Sequence, residues 1–309
     1  MNNLEFTLVE ECNVCGESDF EVIFSSNNMP LTGLYVPKKI QDSLKTYDQE
    51  FLVCKDCGHG QLRNVVDPAI LYDDTYTHRS SESPISIAGN DFFYKYISSL
   101  TRDDNYSSIL EVGCNDLILI KQIQHLAPEI TGVDPIWIGK DFEYNKKTSI
   151  KGAFINELSR DKDFSSPPEL ILSAHTFEHI PDMFEHFKML YDISADKCRF
   201  IIELPCLDTM IETKRFDQVF HQHLQHISLN SMMTLINRLG CHYVDHKFNF
   251  GYWGGTLLFC FEKNLNNTNI SNPVQIKTDI ALIHNNFKEF KNNLESVKNY
   301  CEQAENVYG

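Results

Sequence analysis

The sequence predicts an α/β fold: a doubly wound, largely parallel sheet, preceded by a small metal-bound β module and followed by one long helix. Three observations predict it. Two identical C-x-x-C-G knuckles open the chain, strand-like apolar runs alternate with helix-period segments between about residues 108 and 205, and after residue 275 apolar positions recur every four and three. A chain of 309 residues with 42% hydrophobic and 23% charged residues can bury a sizeable core, which excludes wholesale disorder. Against 27 basic residues stand 43 acidic ones, a formal charge of −16 that repels polyanions and argues against nonspecific nucleic-acid or acidic-membrane binding. No apolar run reaches membrane-spanning length, and the start MNNLEFTLVEECNVC lacks the basic and apolar regions of a secretory signal, so the expected location is cytoplasmic.

The knuckles are Cys12 and Cys15 in CNVCG, and Cys54 and Cys57 in CKDCG. Two residues between thiolates let both sulfurs of one tight turn reach a single ion, and the following glycine permits the positive φ of that turn. Duplication of the whole knuckle points to one tetrahedral Cys₄ site with a structural Zn²⁺. A redox pair would explain only one of the two motifs. FEVIF, TGLYV and QEFLVC read as short strands filling the 38 residues between the pairs. His59 is a conceivable substitute ligand but reads more simply as a surface side chain. The expected organisation is a zinc module over residues 1–75, a central domain over 76–265, and from 266 to 309 the helical start of a further α/β domain that the sequence does not complete.

A Pro- and Ser-containing crossing loop, VVDPAILYDDTYTHRSSESP, leads to a helix expected around 88–100. SSILEVGCND is then a strand ending in a glycine turn, LILIKQIQHL a helix, EITGVDP a strand ending in an acid, ELILSAHTFEHI a strand reaching a loop, FEHFKMLYDI a helix and CRFIIELP a strand. Ligands of such a sheet bind beyond the carboxyl ends of its strands. Gly113 at the first turn lets backbone approach a ligand, and Asp134, 21 residues later, can accept bonds from two ribose hydroxyls. That geometry suits an adenosine. With Cys114, Asn115, Asp116 and Leu117 after Gly113, the turn lacks the G-x-G-x-x-G that cradles a pyrophosphate, whereas a sulfonium with an amino-acid tail is welcome beside carboxylates; this favours S-adenosylmethionine.

Taken together, the paired knuckles, LEVGCND, GVDP, AHTFEHIPD and FDQVFHQHLQHISL resemble the zinc-containing C-methyltransferases of nucleotide-linked deoxysugars, over nearly the whole chain. The resemblance implies a Rossmann-like class I S-adenosylmethionine methyltransferase sheet. In that family the turn reads E-I-G-S-N-D-G, so Glu111, Gly113, Asn115 and Asp116 match while Leu117 replaces the last glycine, and by that resemblance Glu111, Gly113 and Asp134 would hold the cofactor. The partner implied is a nucleotide-linked 4-ketosugar, methylated at carbon through an enolate, by a monomer or homodimer that binds neither nucleic acid nor membrane. The product would feed surface polysaccharide or glycosylated metabolites.

Methylation at carbon needs a base near neutral pKa and a donor for the enolate oxygen. Histidine suits the first task. His179 lies in the loop after the strand ELILSA, and His221, His223 and His226 lie in FHQHLQHISL; the spacing of these three is a poor facial set for a second metal. The family segment is approximately Y-x-E-H, which aligns its histidine with His223 as base but puts Phe220 at the tyrosine and Gln222 at the glutamate. His179, His221 or Tyr76 is then expected to supply the missing donor, Tyr76 matching a tyrosine the family places at the substrate. Two rivals stay open: methylation of an oxygen or nitrogen, for which no ketone need be activated, and a noncatalytic zinc-containing scaffold. Adjacent Gly254 and Gly255 suggest a hairpin or a backbone approach to the sugar, and Lys214 and Arg215 either a diphosphate contact or a solvated turn.

Overall fold

A computed structural model describes residues 6–32, 44–71, 79–263 and 278–303. The expected sheet is present, with eight strands in the order Cys241–Asn249, Thr256–Lys263, Arg199–Pro205, Leu170–Ala174, Ser108–Val112, Glu129–Val133, Thr148–Lys151 and Phe142–Asn145. The five from Arg199–Pro205 to Thr148–Lys151 run parallel, while Thr256–Lys263 is antiparallel between Arg199–Pro205 and Cys241–Asn249.

Strands such as SILEV are buried along their whole length, as a sheet covered on both faces requires. Alternate residues serve opposite faces. Ile109, Leu172 and Ile201 join the core under helices Pro84–Thr101 and Ile118–Ile123, whereas Leu110, Ile171 and Ile202 join the core under helices Met183–Ile193 and Leu229–Leu239. The first helix starts four residues before the expected position because Ser83 caps it, accepting from the Ser86 amide, and Pro84 opens it.

The N-terminal module is a four-stranded antiparallel sheet ordered Gln225–His226, Gly60–Leu62, Thr46–Cys54 and Phe20–Pro30. Its first strand therefore comes from the histidine-rich segment, far along the chain. The expected strand TGLYV falls largely on residues 33–36, outside the described residues. Lys214 bonds Glu289 and Arg215 bonds Asp217, so both cations are already engaged. The glycines at 254 and 255 lie in the connection of the Cys241–Asn249/Thr256–Lys263 hairpin.

Helix Ile280–Gln303 docks with its first half only. Ile283 is buried, and Phe287 stacks on Phe24 of the N-terminal sheet with centroids 4.4 Å apart and meets Phe216 edge-on at 5.3 Å. Beyond Phe290 the apolar seam reaches solvent: Leu294, Val297 and Tyr300 are exposed.

Candidate active site and zinc knot

Both knuckles fold as the spacing dictates. The Gly16 amide donates to the Cys12 carbonyl and the Gly58 amide to the Cys54 carbonyl, each at 2.9 Å, with φ of +83° and +72° at the two glycines. The four sulfurs all lie within 4.8 Å of one another, with Cys12–Cys57 at 3.6 Å and Cys15–Cys54 at 3.5 Å. A tetrahedron with metal–sulfur bonds of about 2.3 Å has edges of about 3.8 Å, so the four thiolates fit zinc. His59 is fully buried and bonds the Gln225 side chain at 2.8 Å; it is neither a ligand nor a surface side chain. The knot is seated on the central domain: Ser228 Oγ donates to the Gly58 carbonyl, Asn230 to the Cys57 carbonyl and Arg238 to the Val14 carbonyl.

At the carboxyl end of Ser108–Val112, Gly113 adopts φ +78°, where a Cβ would stand 1.9 Å from Thr176 Oγ1. The glycine turn thus abuts the loop that carries His179. Asp134 is buried and fixes the turn, accepting from the Asn115 amide at 2.8 Å and the Ile136 amide at 2.9 Å. Trp137 Nε1 donates to the Asn115 carbonyl, and Asp116 accepts from the Ser81 amide. Glu111 Oε2, Asn115 Oδ1 and Asp116 Oδ1 are buried acceptors with no hydrogen-bond partner among the described residues. Burial, reinforced by Asp134 and Asp116, pushes the Glu111 carboxyl up to about 8. Unsatisfied acceptors around a close-approach turn are what a ligand rich in donors, such as a ribose and an ammonium group, completes.

The expected histidines divide. His179 and His223 come together with ring centroids 5.2 Å apart. His221 does not join them; it is buried toward the N-terminal sheet, bonded to the Tyr47 carbonyl at 3.3 Å. Tyr76 lies outside the described residues. The Phe220 ring covers His223 at 4.0 Å, and Gln222 offers its backbone carbonyl to His179 Nδ1 at 2.7 Å.

Two residues that sequence reasoning missed complete the cluster. Glu178 is 1% exposed, with Oε1 at 3.3 Å from His175 Nδ1 and 3.8 Å from His179 Nε2. His175 follows the strand Leu170–Ala174 at φ +52°, a left-handed conformation that costs a non-glycine residue energy and is found at functional sites. Burial opposes the Glu178 charge, but His179 and His175 outweigh it and hold the carboxyl at about 2. Burial, with help from His179, holds His223 well below the usual imidazole range and therefore neutral. The missed signal was H-x-x-E-H at the end of a parallel strand, which places an acid between two imidazoles.

A cavity of about 430 Å³ lined by Thr213, Arg215, Phe250 and Trp253 lies beside the hairpin connection. Tyr252, next to Trp253, meets the His175 ring edge-on at 4.7 Å.

Comparison with known proteins matches residues 91–246 to the family described as "Methyltransferase domain". The chain belongs to the methyltransferase family. Residues 12–72 of this methyltransferase match a second family, described as "Putative zinc binding domain", whose span covers both knuckles. The chain is 26% identical over 245 residues to C-methyltransferase NovU of Streptomyces niveus, an alignment covering 77% of this chain and 57% of the relative's length. Among solved structures it is similar to the N-methyltransferase NodS of Bradyrhizobium japonicum WM9 bound to S-adenosyl-l-homocysteine (TM-score 0.46, 14% identity, 63% of this chain and 95% of that one). It is also similar to magnesium protoporphyrin IX methyltransferase of Synechocystis PCC 6803 (TM-score 0.45, 11% identity, 62% and 91%). The fold is the class I methyltransferase sheet that the sequence predicted, and among the described residues no helix is long and apolar enough to cross a membrane.

Proposed function

We propose that this methyltransferase transfers a methyl group from S-adenosylmethionine to the carbon beside the ketone of a nucleotide-linked 4-ketodeoxysugar. The observation that carries the reading is the pairing of His179 and His223 over Glu178, next to the Gly113 turn and its orphaned acceptors. When bound, S-adenosylmethionine supplies the methyl group and leaves as a neutral thioether, so the protein need not protonate a leaving group. Its own residues have two tasks. His223, neutral and with Nδ1 donating to the Gln218 carbonyl at 3.1 Å, accepts the proton from carbon. His179 faces the oxygen that gains charge as the enolate forms. Glu111, Asn115, Asp116 and Asp134 surround the adenosyl and amino-acid groups, and the pocket with Trp253 and Phe250 has the aromatic faces that suit a nucleotide. The relative named a C-methyltransferase supports transfer to carbon.

A second reading, methylation of a hydroxyl, draws support from Phe220 and Gln222, which provide neither a phenol nor a carboxylate. A ketosugar deuterated at C3 separates the two. Carbon methylation requires loss of that deuterium in the wild type and its retention in His223→Ala; methylated product that keeps the label would replace carbon by oxygen. Calorimetric titration with S-adenosylhomocysteine addresses the scaffold alternative, because absence of saturable binding would remove methyl transfer altogether.

A further inference from the structure

We propose that Glu178, His179 and His223 bind a divalent first-row metal cation at the methyl-transfer site, separate from the zinc knot. One ligating atom from each lies within 4.8 Å of the others, and two imidazoles with one carboxylate form a set that leaves adjacent coordination positions open. The surroundings have the character of a metal site. A carbonyl oxygen only accepts, so the bonds from His179 Nδ1 to Gln222 O and from His223 Nδ1 to Gln218 O place a proton on each Nδ1, which makes Nε2 the nitrogen that carries the lone pair on each neutral ring. Glu178 Oε1 faces His175 and His179, while its Oε2 is buried with no hydrogen-bond partner among the described residues. A buried carboxylate oxygen without a partner is costly, and a cation removes that cost.

The ligand residues are also held in one hydrogen-bonded unit. The Leu224 amide donates to the Glu178 carbonyl at 2.7 Å, and the His223 amide donates to the Phe220 carbonyl at 2.9 Å. Nitrogen and oxygen ligands of this kind suit Mn²⁺, Fe²⁺, Co²⁺ or Zn²⁺ and give no reason to prefer a soft ion.

The cation deepens the proposed reaction, and its use in catalysis rests on that reading. Coordinated to the sugar ketone, it polarises the C=O bond and stabilises the enolate oxygen, which accounts for the absence of a phenol at 220 and a carboxylate at 222. The proton on carbon then passes to a hydroxide on the cation, giving water; the C–H electron pair becomes the enolate C=C, which attacks the methyl group. In this scheme the cation-bound hydroxide replaces His223 as the base and the cation replaces His179 at the enolate oxygen, both imidazoles serving as ligands; without the cation the direct roles of His223 and His179 stand.

The test is titration with Mn²⁺, an ion with little affinity for thiolates, of the full chain carrying one equivalent of zinc as checked by metal analysis, so that only the Cys₄ site is filled; binding is followed by loss of the free-ion electron paramagnetic resonance signal. One Mn²⁺ per chain is expected, with affinity reduced at least about tenfold in Glu178→Gln and in His223→Ala and unchanged in His221→Ala. Thermal melting and S-adenosylhomocysteine binding establish that each variant is folded. No stoichiometric binding in the wild type, or equal binding in folded Glu178→Gln and His223→Ala, overturns the site. Turnover of the ketosugar is measured on the same samples. Turnover without Mn²⁺ binding leaves methyl transfer standing with His223 as direct base, whereas stoichiometric binding without turnover leaves the cation site standing and removes the proposed substrate.

Discussion

If Glu111 holds S-adenosylmethionine as proposed, binding of that cofactor depends on pH. With its carboxyl pushed up to about 8, Glu111 is protonated in roughly nine of ten ligand-free molecules at pH 7. Ribose hydroxyls and an ammonium group need an acceptor there, so binding has to expel that proton. Affinity for S-adenosylhomocysteine should therefore rise nearly tenfold per pH unit from 6 to 7 and level off above 8, a gain of roughly tenfold between pH 7 and the plateau. Calorimetry in two buffers of different ionisation enthalpy should detect close to one proton released at pH 7. In Glu111→Gln affinity should be lower and the Glu111 component of the slope absent; any slope that remains comes from other groups, among them the ligand's own amino group and Asp134, whose carboxyl burial also raises. The sign for stability is opposite. The folded value lies above the ordinary 4.5, so the ligand-free wild type loses stability as pH rises from about 4.5 to 8, by about 5 kcal/mol in total relative to Glu111→Gln. A wild-type affinity that is flat from pH 6 to 9, or a slope identical in Glu111→Gln, would refute this account.

The remaining predictions concern the turn, the knot and the helix. Gly113→Ala should abolish S-adenosylhomocysteine binding, measured by calorimetry, because the new methyl group would meet Thr176 Oγ1 at 1.9 Å in a left-handed backbone. Cys54→Ser should release one equivalent of zinc in a colorimetric chelator assay and open residues 44–71 to limited proteolysis, since the metal closes the module. Ile283→Ala should cost about 2–4 kcal/mol in urea unfolding, whereas Leu294→Ala, on the same helix but half exposed, should stay within about 0.5 kcal/mol. Equal effects of the two would mean that the helix does not dock through its first half.

What the sequence made legible was local. Each knuckle is specified by five consecutive residues, and strands such as LILSA are apolar runs ended by loops, so periodicity and glycine position suffice. The strand pair Phe142–Asn145 and Thr148–Lys151 was not legible, because its polar, lysine-containing sequence FEYNKKTSIK resembles a loop and pairs only because a sheet edge is offered to it. The helix after 275 shows an even apolar seam, yet only the part that meets Phe24 and Phe216 is covered; sequence period states which face is apolar and not how far a partner extends. In the site, Glu111, Gly113 and Asp134 stand out by their places at strand ends. Glu178 and His175 do not, because their importance comes from burial against His179 and from a histidine segment that arrives from 45 residues away in sequence.

That arrival has a consequence for any attempt to take the protein apart. Gln225–His226 is hydrogen-bonded to Gly60–Leu62, directly after the second knuckle, and Gln225 also holds the carbonyls of Ile180 and Pro181 beside the reacting loop. A fragment cut at residue 75 would therefore leave His223 on an unsupported ribbon. Exchanging the amino-terminal module between relatives would likewise graft in a new wall of the reaction chamber, with its geometry transmitted through two short strands.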